Sequence, residues 1–98
     1  MNVPEHLLVC LAEEGAEVSQ ICAKALRFGL DEVNVMNPKG PSNRERIVAE
    51  LNDLMAVAKL CAAAGILPAN WQDLASQENK IDKVRFFMDH ARREGALT

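Results

Sequence analysis

The residues best suited to chemistry lie in two short acidic stretches, Glu13-Glu14-Gly15-Ala16-Glu17 and Glu50-Leu51-Asn52-Asp53. Each interrupts a segment whose remaining pattern is apolar and helical. An α-helix turns about 100° per residue, so every side chain can be given a direction. With Glu13 at zero, Cys10, Ile21, Leu7, Ala25, Val18 and Leu11 belong to an apolar arc from about 60° to about 220°. Glu14 falls inside that arc at about 100°, Glu17 on its shoulder at about 40°, and Glu13 points away. In the second segment Val57, Cys61, Leu54 and Ile47 surround Glu50, and Asp53 lies near 300°, flanked by Leu60 and Ala64 (angles from about 100° per residue). Burying carboxylates costs several kcal/mol each unless something positive compensates them. The pattern predicts a cation site.

Glu14 and Glu17 are three residues apart, as are Glu50 and Asp53, so each pair projects from adjacent turns of one helix. If the two helices pack face to face, four carboxylates converge on one volume. An oxygen-only ligand set suits a hard cation, Mg²⁺ or its substitute Mn²⁺. Zinc fits poorly, because His6 and His90 stand in no ligand spacing with the cysteines. A di-iron bundle would need Glu-x-x-His on two helices, and the chain has none. The competing reading is a set of salt-bridged or snorkelling glutamates. Without a cation, such an inward cluster forces at least one pKa up by repulsion and desolvation.

The elements that must position these groups read as all-α. Pro4 suits a first helical turn, the 3.6-residue period holds to about Phe28, and Gly29 is a plausible stop. Leu30 to Ser42, with Pro38, Gly40 and Pro41, cannot continue a helix and is long for a connection. Ser42 or Asn43 caps a second helix running to about Ala64, ended by Gly65 and Pro68. Its apolar arc is wide enough to need neighbours on two sides. Asn70 to Ala75 reads as a short helical turn bearing Trp71, more a packing residue than a base-stacking one, and a third helix follows from about Ser76 to Arg93. No period-2 run calls for a strand.

Composition agrees with one small folded domain over residues 1–98, since 49% of residues are hydrophobic and 26% charged. A net charge of −3 gives no electrostatic reason to expect a nucleic-acid polymer or an anionic membrane as partner. No early basic residue leads into a long apolar run, so neither a secretory signal nor a membrane span is expected. Cys10, Cys22 and Cys61 show no paired spacing and read as free thiols, consistent with a cytoplasmic protein.

The third helix repeats the anomaly with opposite sign. Lys80 falls within the arc of Phe87, Ala91, Val84, Met88 and Ile81, and Lys83 lies at its edge. Such lysines neutralise the acids or hold a phosphate. Arg85, Asp89, Arg92 and Arg93 face outward.

Glu-Glu-x-x-Glu on one helix followed by Glu-x-x-Asp on the next resembles the MazG-like all-α nucleotide pyrophosphohydrolases. The resemblance extends over Leu11 to Glu17, Lys24-Ala25-Leu26-Arg27-Phe28-Gly29, and Asn43-Arg44-Glu45-Arg46 leading into Glu50 to Leu54. It looks like the small phage and bacterial members. It implies a helical bundle of the all-α NTP pyrophosphohydrolase type, three main helices per chain, assembled as homodimers or homotetramers. It also implies Mg²⁺-dependent hydrolysis of a nucleoside triphosphate to monophosphate and pyrophosphate. Carried over, the metal ligands are Glu14, Glu17, Glu50 and Asp53. Glu13 or Glu17 is the catalytic base, and Lys80 and then Lys83 contact substrate phosphate. Alternatives are a related hydrolase acting on phosphoribosyl-ATP, dUTP or dCTP, or a catalytically silent helical interaction module. A helix-turn-helix around Gly65 to Ser76 is disfavoured by the acidic balance.

Overall fold

The computed structural model describes residues 1–98 and contains three α-helices and no strand: α1 (Val3–Phe28), α2 (Asn43–Ala63) and α3 (Leu74–Arg93). Each helix starts at a side-chain cap. Asn2 and Glu5 form a capping box at α1, with the Glu5 N–H donating to Asn2 Oδ1 at 2.9 Å. Ser42 and Glu45 form a second box at α2, with the Glu45 N–H donating to Ser42 Oγ at 3.2 Å. Each satisfies backbone donors that the first turn leaves without partners, an effect of about 1 kcal/mol.

Asp73 caps α3, accepting from the N–H groups of Ala75 at 3.0 Å and Ser76 at 3.3 Å. That cap corrects two sequence expectations. The third helix begins at Leu74 rather than near Ser76, and Asn70 to Asp73 is non-helical chain, with Trp71 half-buried in it.

The connection between α1 and α2 is irregular yet closely pinned. At Gly29, φ is 101°, a conformation that favours glycine, and its N–H closes the helix on the Ala25 carbonyl at 2.8 Å. The backbone N–H of Asn43 returns to the Glu32 carbonyl at 3.0 Å, and that of Arg44 to the Leu30 carbonyl at 2.8 Å. An isolated bridge pairs Val33 with Ser42. Asn34 Oδ1 accepts from the Met36 N–H at 2.8 Å, a local turn of the kind asparagine favours. The long loop thus brings the end of α1 and the start of α2 side by side.

Three contacts fix the direction of packing. Gly29 meets Asn43 at the loop end, the acidic stretches meet midway, and the Cys61 thiol reaches the Leu7 carbonyl at 3.9 Å at the far end. The helices are therefore antiparallel. Ile21, Ala25, Ala58 and Cys61 form the buried apolar core between them.

α3 packs against neither α1 nor α2. Its large apolar residues, including Ile81, Val84, Phe86, Phe87 and Met88, are exposed. Phe86 and Phe87 contact each other edge to face, with ring centroids 5.3 Å apart. Two neighbours were expected for α2; within one chain it has α1 alone. The radius of gyration is accordingly 17.0 Å, against about 13 Å for a compact domain of this length. No helix is long and apolar enough to cross a membrane.

Candidate metal centre

Midway along the antiparallel pair, α1 presents Glu14 and Glu17 and α2 presents Glu50 and Asp53. Carboxylate oxygens from all four, one from each residue, lie within 4.8 Å of one another. The three-residue spacing places each pair on neighbouring turns, and the pinned loop sets the two helices in register. Glu14 and Glu50 are half-buried, whereas Glu17 and Asp53 are exposed at the mouth.

The inner pair is electrostatically unsatisfied. Oε2 of Glu14 and Oε2 of Glu50 are shielded from solvent and have no hydrogen-bond partner. No cation of the chain reaches the cluster, for the two salt bridges are Arg44–Asp31 and Arg92–Asp89. Desolvation raises the Glu14 carboxyl above its ordinary value, and the charges of Glu17, Asp53 and Glu13 add to the shift. Glu50 is also raised, first by close contact with Glu17, then by desolvation and the neighbouring charges. Two carboxylates approach so closely only by sharing a proton or a cation.

The donor set fits a hard divalent ion. Oxygen ligands at about 2.0–2.6 Å from such a cation lie up to about 4–5 Å apart across it, which matches the observed cluster. Four acids with no neutralising lysine or arginine, two of them with a shielded oxygen lacking any donor, meet the electrostatic requirement too.

The other expected site residues are dispersed. Glu13 is exposed on the outer side of α1, outside the group of four, and acts on Glu14 through its charge. Lys80 and Lys83 are exposed on α3, beside Val84, Phe87 and Met88, and a single chain does not bring them to the carboxylates.

Comparison with protein-family models, curated proteins and solved structures finds no match for this chain. The site therefore rests on its own geometry.

One feature escaped the sequence reading. A cleft of about 230 Å³ opens where the loop meets the helices, lined by Lys24, Phe28, Glu32, Asn34, Val35, Asn43 and Arg46. The signal was present in the spacing. Lys24 is seven residues beyond Glu17 and Arg46 four before Glu50, positions that share a helix face with those acids.

Proposed function

We propose that this chain is a Mg²⁺-dependent nucleoside triphosphate pyrophosphohydrolase of the MazG-like type, releasing nucleoside monophosphate and pyrophosphate. The observation that carries this reading is the group of four carboxylates from two antiparallel helices, with two shielded oxygens lacking any donor. A polyanionic substrate would be repelled by such a cluster unless divalent ions lay between them. Glu14, Glu17, Glu50 and Asp53 would hold the ion, which would supply charge neutralisation and Lewis-acid activation near neutral pH.

The chain's own residues do the remaining work. Glu14 and Glu50, half-buried, form the fixed floor of the site. Glu17 and Asp53, exposed at its mouth, meet the incoming nucleotide. Glu17, or Glu13 behind it, accepts the proton of the attacking water. Attack at the α-phosphorus breaks its bond to the bridging oxygen and expels pyrophosphate, whose charge needs a positive neighbour.

The working unit in this reading is at least a homodimer. One chain exposes 7553 Å², whereas a folded monomer of 10.8 kDa exposes about 5,500 Å². The excess of about 2,000 Å² per chain matches what an obligate dimer buries. A second copy covering the apolar face of α3 would carry Lys80 and Lys83 to a new neighbour, the route by which they become phosphate contacts.

The test is a panel of nucleoside triphosphates assayed for pyrophosphate release with Mg²⁺, with Mn²⁺ and with a chelator. Metal-dependent pyrophosphate release is expected. Metal binding without hydrolysis of any nucleotide would favour the silent interaction module.

A further inference from the structure

We infer that Asn43 is the positioning residue of the metal centre, its buried side chain holding α1 and α2 in the register that gathers the four carboxylates. The inference rests on the reading of the acidic cluster as a metal site, and it assigns the residue that sets its geometry.

Asn43 is the only buried polar residue of the chain, at 1% exposure. Burying an amide is costly unless its hydrogen bonds are made inside the protein. Here Nδ2 donates to the Gly29 carbonyl at 2.9 Å and to Glu32 Oε2 at 2.8 Å. The second bond runs to a carboxylate, which makes it the stronger of the two. The backbone N–H groups of Asn43 and Arg44 reach only the loop, at Glu32 and Leu30. The side chain reaches Gly29, the cap of α1 itself. One residue thus ties the start of α2 to the end of α1.

The other contacts between the helices constrain sliding less. The core of Ile21, Ala25, Ala58 and Cys61 is apolar, and apolar burial is non-directional. At the far end the Cys61 thiol, a weak donor, lies 3.9 Å from the Leu7 carbonyl. A slip of α2 by one residue would carry Glu50 and Asp53 about 1.5 Å along α1. Metal–oxygen distances tolerate about 0.2 Å. The geometry of the cluster therefore depends on the directional bonds of Asn43. Asn43 stands about 10 Å along the axis from Glu50, so it acts on an ion only through the helices.

The experiment is calorimetric titration of the metal-free full chain with Mn²⁺, with helicity measured on each sample by circular dichroism. Asn43→Leu keeps the bulk of the side chain and removes both donors. It should stay helical and bind Mn²⁺ at least about tenfold more weakly than the parent. Ser42→Ala weakens the neighbouring cap and leaves the Asn43 bonds alone, so it should bind as the parent does. That contrast separates positioning from lost stability. Asn43→Asp serves where the leucine variant does not fold. It should also bind weakly, and Asn43→Asp/Glu32→Gln should recover part of the affinity, because the new amide can donate to the new carboxylate. Parent affinity in folded Asn43→Leu would overturn the inference and leave the metal site standing, as would an equal loss in Ser42→Ala. Mn²⁺ binding that follows this pattern in a chain that hydrolyses no nucleotide would end the enzymatic reading and leave the role of Asn43 intact. A parent that binds no Mn²⁺ would overturn both.

Discussion

The α1–α2 pair and α3 are built from similar material and end in different situations. All three helices are long, capped and amphipathic, and each carries charged residues within or beside its apolar face. In the pair, a pinned loop returns the chain on itself, so two apolar strips meet and draw their carboxylates together. After α2 the chain turns at Gly65, where φ is 77°, passes Pro68 and leaves α3 away from both helices. An amphipathic pattern states that a face will be covered. It does not state whether the cover comes from the same chain. Here one set of charges gathers into a cluster inside a single chain, and the other lies on an exposed face.

The sharpest test of that contrast is Glu50→Gln, which acts inside the pair. It keeps size and removes one charge from the proposed ligand set, so the proposed turnover should fall by about a hundredfold or more. The metal-free chain should keep its helicity and its stability, since the amide can donate to Glu17 where two carboxylates repel. Turnover at the parent rate would remove Glu50 from the site.

The next prediction acts on α3. Phe87→Asp places a charge on the exposed apolar face and should abolish the proposed self-association, seen in sedimentation as a fall toward 10.8 kDa. A helix that stayed solvent-exposed in the working protein would tolerate the change within about 0.5 kcal/mol, and the two regions would then differ for another reason.

A third experiment joins the regions. Lys80→Ala should reduce turnover about tenfold, whereas outward Arg92→Ala, whose guanidinium pairs with Asp89 on the same helix, should change it little. If Lys80 serves the cluster of a second copy, co-assembling Glu50→Gln chains with Lys80→Ala chains should restore about a quarter of the sites. No recovery on mixing would mean that Lys80 does not act across chains.

The smallest effect is a pH dependence of opposite sign in the two regions. Glu14 and Glu50 titrate above their ordinary 4.5 in the folded state. The folded chain therefore holds more protons than the unfolded one between 4.5 and the raised values. Stability of the metal-free pair should rise as pH falls through that window, and Mg²⁺ should flatten the slope. Asp73 is lowered from 3.8, first by the Ser76 hydroxyl and then by the backbone donors it caps. Its contribution to α3 is full above 3.8 and is lost as pH falls through the lowered value. Thermal melts across the acid range, with and without Mg²⁺, read both signs.

Much of this molecule is local and therefore legible in the sequence. Helix identity, the capping residues, the stops at Gly29 and Gly65 and the three-residue spacing of the acids follow from interactions within a few residues of each other. The inward direction of Glu14 and Glu50 is legible for the same reason. Asp53 is more exposed than its place on the wheel suggests, because one partner helix covers a narrower strip than the full apolar arc.

What the tertiary structure decided is which faces meet. The distance between Glu17 and Glu50 depends on a loop held by Asn43, a residue whose burial has no local signature. The adjacency of Lys24 and Arg46 depends on the same antiparallel register. The position of α3 is the extreme case. Its sequence specifies a helix with an apolar face, and within one chain neither α1 nor α2 packs on that face.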